Sequence, residues 1–170
     1  RRSSSAASDV YKRQELKIVV MDRDRHVDLI SSLKDLGVQP ILIGDGDVSG
    51  GLKAAEGLVD LLYGIGAAPE GVITATAVKA MGGFFEGRLH FMDDSFKERA
   101  LKMLGSDINN LWSADDLCRS TDSFFIASGV CSGWIPGVKF EGNKAEVTSK
   151  IIFGDSSETQ IIINEYILGE

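Results

Sequence analysis

The chain has 170 residues, 44% of them apolar and 25% charged, the size and make-up of one ordinary globular domain or of one half of a larger enzyme. Lys and Arg number 18 against 25 Asp and Glu, a formal charge of −7; the first fourteen residues hold four bases (Arg1, Arg2, Lys12, Arg13) and one acid (Asp9), which leaves the remainder at −10. Such a body repels nucleic acid and anionic lipid, yet it can still hold a phosphate through a few placed Arg side chains and a bound cation, so small-molecule chemistry is favoured over polyanion binding.

No apolar run approaches the ~20 residues that span a bilayer, and no apolar segment of signal-peptide length follows a charged start, so a cytoplasmic protein with no membrane partner is expected. Cys118 and Cys131 are too few for a disulfide scaffold or a zinc site and read as two reduced thiols. The opening RRSSSAASDVYKRQ has no apolar periodicity and the composition of a tail; residues 1–14 read as a disordered or non-native linker ahead of a domain over 15–170.

From Leu16 a unit recurs three times: an apolar, β-branched run, a polar or glycine turn, then helical spacing, as in parallel βα units. The first is LKIVVM (16–21), the turn DRDRH, and a helix with Val27, Ile30 and Leu33 on one stripe, stopped by Gly37. The second is ILI (41–43), the turn GDGD, and a helix through Val48, Leu52 and Ala55 that Gly50 and Gly51 weaken. The third is VDLLY (59–63), the turn GIGAA, and a helix opened by Pro69 and stopped at Gly82-Gly83. Beyond these, RLHF (88–91) reads as a short strand and 95–104 as a helix, whereas 124–130, 146–153 and 159–167 read as strands, the last two a hairpin. The expected fold is α/β with a mixed sheet built on successive parallel βα units.

In open α/β sheets the ligand lies beyond the carboxyl ends of the parallel strands. All three turns fall there, carrying Arg23 and Arg25, then Asp45 and Asp47, then a glycine turn leading to Glu70. That edge suits a sugar phosphate and a metal. Each signal has a plainer alternative: an Arg pair on a loop is ordinarily solvated charge, an Asp-Gly-Asp turn ordinarily caps a helix, and a carboxylate in a first helical turn is favoured by the dipole anyway. His26 reads as a satisfied structural residue at a helix start, His90, Met92 and the Phe84-Phe85 pair as packing, and Lys139 to Lys150 as a solvated face.

The stretch VDLLYGIGAAPEGVITATAVKAMGGFFEGRL (59–89), preceded by DRDRH and IGDGDV and followed by DDLCRSTDSFFIASGV (115–130), resembles the class II fructose-1,6-bisphosphatases over about residues 16–170, corresponding to the C-terminal half of that family. The resemblance implies the layered fold of the inositol monophosphatase and fructose bisphosphatase type. It implies that Arg23, Asp24 and Arg25 form a substrate loop, that Asp45, Gly46 and Asp47 contact the sugar phosphate, that Ala67 stands where the family's turn has its second glycine, and that Glu70 is a divalent-metal ligand. The implied activity is Mn²⁺- or Mg²⁺-dependent hydrolysis of fructose 1,6-bisphosphate in gluconeogenesis, with sedoheptulose 1,7-bisphosphatase or a non-catalytic sugar-phosphate-binding domain as alternatives. The family's other metal ligands and catalytic threonine lie in Gly-Glu-Gly-Glu and Asp-Pro-Ile/Leu-Glu/Asp-Gly-Thr motifs, neither of which occurs in this sequence. The 170 residues alone are therefore expected to bind substrate without turning it over, with no catalytic residue of their own, and the complete protein is expected to be a homo-oligomer.

Overall fold

The computed structural model describes residues 15–169; the linker expected over 1–14 lies outside them. The described residues divide into two compact units, the first ending at Ala67 and the second beginning at Ala68.

In the first unit a parallel sheet has the order β2-β1-β3, with β1 at Ile18–Met21, β2 at Ile41–Ile43 and β3 at Leu61–Leu62. All four residues of β1 are buried, as a central strand covered on both faces requires, and this is why its sequence is unbroken apolar rather than alternating. Ile18 and Val20 point to one face and pack with Leu33, Val38, Leu29 and Ile30, the apolar side of α1 (Val27–Asp35) and the segment after it. Val19 points to the other face, where α2 (Asp47–Ala55) brings Gly50 so close that a Cβ there would stand 3.0 Å from Leu62 and 3.6 Å from both Val19 and Ile43. Leu52 of the same helix is 1% exposed. The two glycines expected to weaken α2 thus sit on its buried face, where packing against the sheet outweighs their poor intrinsic helix propensity.

The expected elements of this unit occur, with three differences. Val27 is 60% exposed and lies off the stripe, which runs through Leu29, Ile30 and Leu33 instead. The third strand is shorter than Val59 to Tyr63, because β1 offers ladder partners only to Leu61 and Leu62, although Asp60 and Tyr63 donate to the Lys17 and Val19 carbonyls at either end. Gly37 takes the left-handed conformation (φ 83°) expected of a helix stop.

The second unit begins with α3 (Ala68–Ala80), whose buried Thr74, Ala75, Ala77, Val78 and Ala80 form a small-residue face against β6 (Phe124–Ser128) and β8 (Lys144–Phe153). Strand β8 is the centre of a four-stranded antiparallel sheet. It pairs with β6 and β7 (Lys139–Glu141) along one edge and with β9 (Thr159–Ile167) along the other. The expected hairpin is present, in register from Lys144↔Ile167 to Ile152↔Thr159. Parallel and antiparallel strands therefore segregate into separate sheets, in place of the one mixed sheet expected. The strand expected at 88–91 is absent: the ladder there is β4 (Glu86–Gly87) against β5 (Trp112–Ser113), and 88–91 has no partner strand. Phe84 and Met92 are 79% and 74% exposed and His90 is exposed as well, so these residues do not pack; Phe85 alone of the group folds back, 3.4 Å from where a Gly87 Cβ would be. Between Lys139 and Lys150, Ala145 and Thr148 are buried, so that stretch is only partly a solvated face. Lys139 pairs with Glu146 at 2.7 Å, and Lys150 lies 4.4 Å from the Trp134 ring centre. Lys79 of α3 reaches Asp115 at 2.9 Å and the Cys118 carbonyl at 2.6 Å, tying α3 to the short helix α5 (Ala114–Leu117).

Helix α4 (Asp94–Leu104) has no buried residue, so its stability rests on local terms. Its cap is Asp93, whose carboxylate accepts from the Ser95 hydroxyl and from the Phe96 and Ser95 backbone N–H groups. The Ser95 hydroxyl, and after it these N–H groups, hold the Asp93 carboxyl below the usual aspartate range. A carboxyl depressed in the folded state stabilises above its unfolded value, and that contribution disappears as pH falls through the depressed value. The amides of Ser95 and Phe96 should therefore lose protection, measured against their intrinsic exchange rates, as pH falls through that value. Asp93→Asn, which caps without a charge, should remove this pH step, whereas Asp93→Ala should fray the helix at every pH. Amide exchange followed across the acid range checks both; a pH step that survives in Asp93→Asn contradicts the assignment.

Candidate functional site

The order β2-β1-β3 means that the chain leaves β1 to one side, returns across it and enters the sheet again on the other. The carboxyl end of β1 is therefore the topological switch point at which the crossover connections diverge and leave a crevice. Within the first unit the loops after all three strands meet there.

The loop after β1 is extended at Arg23 (φ −141°, ψ 148°) and then makes one 3₁₀ turn over Asp24–His26. Arg23, Asp24 and Arg25 are exposed and His26 is 1% exposed. The inward residue is fully bonded: His26 Nδ1 lies 2.8 Å from the Met21 carbonyl oxygen, and Nε2 accepts the Ile65 backbone N–H at 2.8 Å. A carbonyl can only accept and an amide N–H can only donate, so the ring is the neutral Nδ1–H tautomer. The structural role expected for His26 is thus present in detail. Arg25, next to it, donates Nε–H to the Ile65 carbonyl at 2.8 Å. Among the described residues its two terminal nitrogens have no partner, and they are available to an anion.

In the loop after β2, Gly46 caps α2 in the left-handed conformation (φ 88°, ψ 45°), and no side chain caps the helix. The N-cap role expected of an aspartate therefore falls to glycine. Asp45 Oδ1 accepts the Gly46 N–H at 2.8 Å and Asp47 Oδ1 accepts the Val48 N–H at 2.9 Å, so each carboxylate is oriented by its neighbour's backbone. Asp47, the first helical residue, also stands where the helix dipole favours a negative charge. Its Oδ2 would be 3.1 Å from a Cβ on Gly66, which brings the second loop against the third.

The third loop runs through Tyr63, Gly64, Ile65, Gly66 and Ala67. Neither Gly64 nor Gly66 has a positive φ; close approach is what requires a glycine here. A Cβ on Gly64 would lie 3.0 Å from His26 Nε2, and one on Gly66 would meet Asp47. Ala67 also lies outside the left-handed region, Ser157 being the one non-glycine residue with positive φ among the described residues. The methyl at 67 therefore costs no backbone strain.

Glu70 belongs to the second unit, in the first turn of α3. Its Oε2 is buried and has no hydrogen-bond partner among the described residues. A buried carboxylate oxygen left unpaired is costly, and such an oxygen suits a hard divalent cation; in this respect Glu70 fits the metal role that the resemblance implies. Among the described residues no cluster of three or more His, Cys, Asp or Glu side chains could hold a metal, so Glu70 would be one ligand of a larger set. Both thiols, Cys118 and Cys131, are free, and no helix among the described residues is long and apolar enough to cross a membrane.

The family described as bacterial fructose-1,6-bisphosphatase, glpX-encoded, matches residues 3–166. The chain belongs to this family. The matched stretch takes in most of residues 1–14 as well as both units. Among curated relatives, the D-fructose 1,6-bisphosphatase class 2/sedoheptulose 1,7-bisphosphatase of Trichodesmium erythraeum is 36% identical over 174 residues, covering 92% of this chain and 50% of the relative. The protein of that name numbered 2 in Acaryochloris marina is 37% identical over 164 residues (88% and 47%), and that of Gloeobacter violaceus 34% over 170 (91% and 49%). The chain spans about half the length of these relatives.

Of the residues singled out in the sequence, Arg25 and Asp47 are brought to the glycine turn, Asp45 turns onto the Gly46 N–H, and Arg23 reaches, among the described residues, only the Asp22 carbonyl, at 3.3 Å. The Ile65 peptide was not legible in advance, because it acts through backbone atoms that residue type does not reveal. Gly66→Ala should leave the thermal midpoint nearly unchanged, since its methyl meets only the tip of the Asp47 carboxylate, and should weaken binding of a sugar bisphosphate by displacing that tip. Thermal unfolding and ligand titration of the variant check this; a large loss of stability, or unchanged affinity, contradicts it.

Proposed function

We propose that this chain is the substrate-binding half of a class II fructose-1,6-bisphosphatase, and that the complete protein hydrolyses fructose 1,6-bisphosphate to fructose 6-phosphate and inorganic phosphate. The observation that carries this reading is the convergence of the three loops at the carboxyl end of β1, with Arg25 tied to Ile65 and Asp47 beside Gly66. Arg23, Asp24 and Arg25 would form the substrate loop, with the Arg25 terminal nitrogens gripping a phosphate as a planar fork. Asp45 and Asp47 would accept hydrogen bonds from sugar hydroxyls, with Gly46 setting the turn that presents both to the sugar phosphate, and the turn through Ala67 would lie along the substrate. The names of the relatives carry both fructose and sedoheptulose bisphosphatase activities, so the seven-carbon sugar is the second substrate we propose.

The family is metal-dependent, and we assign Glu70 as one oxygen ligand of a divalent cation, Mn²⁺ or Mg²⁺, on the strength of its unpaired buried oxygen. When bound, that cation would neutralise phosphoryl oxygens and so ease attack by water. This chain's own residues bind and orient; the Gly-Glu-Gly-Glu and Asp-Pro-Ile/Leu-Glu/Asp-Gly-Thr motifs needed to complete the centre would come from the other half of the protein. Residues 15–170 alone would therefore be inactive. The layered fructose bisphosphatase-type fold, a cytoplasmic location and a homo-oligomeric complete protein belong to the same reading.

In the complete enzyme, Arg25→Ala should raise KM for the bisphosphate and change kcat little. The phosphate contact is far from the reacting group and acts in ground and transition states alike, and one charge-assisted hydrogen bond contributes on the order of 1.5–3 kcal/mol. Steady-state kinetics check it, and an unchanged KM would remove Arg25 from the site. Glu70→Gln should abolish turnover through lost metal affinity, at a cost to the fold of only ~0.3–1 kcal/mol from the helix-start charge. Thermal unfolding and metal titration run together separate the two causes; wild-type metal affinity, or activity lost only through unfolding, would overturn the ligand assignment.

A further inference from the structure

We infer that His26 is a positioning residue for the substrate site: it fixes the glycine turn, and with it the phosphate-binding face of Arg25, without touching substrate itself. The inference rests on the proposed bisphosphatase reading of that edge. His26 is 1% exposed, among the largest fully buried side chains of the chain. Both ring nitrogens are committed to backbone, Nδ1 to Met21 and Nε2 to Ile65, so the ring has no atom left to ligate a phosphate or to relay a proton.

The partners give the ring its consequence. Met21 is the last residue of β1, the best-buried strand of the unit, so Nδ1 anchors the imidazole to the buried sheet. Nε2 then transmits that position across 39 residues to the Ile65 N–H. The carbonyl of the same Ile65 receives Arg25 Nε–H. One residue of the turn is thus held at its N–H by His26 and at its C=O by the residue preceding His26. A guanidinium fixed through Nε keeps its planar fork in one orientation, and a loop ordered in advance does not pay that ordering on binding. Gly64 lies against the ring edge, its hypothetical Cβ 3.0 Å from Nε2 and 3.2 Å from Cε1, so the turn approaches as closely as the Nε2 bond demands. Gly66 then follows beside Asp47. The relative placement of guanidinium, turn backbone and carboxylate depends on one neutral imidazole.

Two substitutions in the complete enzyme separate the bonds. In His26→Asn the amide nitrogen replaces Nδ1, keeping the Met21 bond and leaving the Ile65 N–H without an acceptor. In His26→Gln the amide oxygen lies near the place of Nε2 and restores that acceptor. The loss of one hydrogen bond at this part-buried amide corresponds to about tenfold. His26→Asn should therefore raise KM for fructose 1,6-bisphosphate about tenfold with kcat near wild type, and His26→Gln should recover most of that loss. If His26→Asn fails to fold, Gly64→Ala carries the test, because its methyl pushes the turn off the ring while both histidine nitrogens remain; KM should rise and kcat hold. Unchanged KM in whichever of these two variants folds, or equal losses in kcat and KM terms in both His26 variants, would overturn the inference. Wild-type enzyme with no bisphosphatase activity would instead overturn the function on which it rests.

Discussion

Strand β1 has a neighbour on each edge and a helix on each face, and the rest of the first unit depends on that burial. A parallel strand can be central only if connections pass to both of its sides, and those connections must part at its carboxyl end. The short runs at 41–43 and 61–62 are partly exposed edges, so the apolar core lies along β1 itself, through Val20 on one face and Val19 against Gly50 of α2 on the other. Removing a side chain of this kind typically costs about 2–5 kcal/mol, a large share of what a unit this small can hold in reserve. The position of the site follows from the core: the loop that leaves Met21 carries Arg23 to Arg25 on the surface, and His26 then returns inward to bond the Met21 carbonyl.

The edge sets two guanidiniums among the carboxylates of an acidic chain. A protein of net charge −7 presents Arg23 and Arg25 on one exposed loop, and among the described residues Arg25 has only its Nε engaged. Asp45 and Asp47 stand across the turn with Oδ1 held by backbone amides. Guanidinium for phosphate and carboxylate for hydroxyl is the division of labour that a sugar phosphate requires. It is also a division that a polyanion such as nucleic acid would not use, since the carboxylates would repel its backbone.

Much of this was legible in the sequence, and the limits have physical causes. The three βα units were readable because β-branched runs alternate with polar turns, and the hairpin because two long strand-like runs flank a four-residue turn. The 88–91 strand was misplaced because RLHF has strand composition but no neighbour to pair with; pairing, which sequence does not display, put the ladder at Glu86–Gly87. The packing role given to Phe84 and Met92 failed because side-chain type alone does not say which way a loop faces. At the site the charged residues announced themselves. What joins them did not, since the Ile65 N–H and C=O are backbone atoms present at every position. Glu70 was suggested by resemblance, and its unpaired oxygen is information that only coordinates carry.

The central claim is that one edge, formed by the loops at 23–26, 45–47 and 63–67, receives the sugar bisphosphate. Hydrogen–deuterium exchange of the complete enzyme, with divalent metal chelated so that no turnover occurs, measures this directly. Titration with fructose 1,6-bisphosphate should protect peptides covering those three loops together, saturably and at one common concentration, while the exposed strand at 159–167 is unaffected. Protection confined to other segments, or protection of the three loops at unrelated concentrations, would contradict the account.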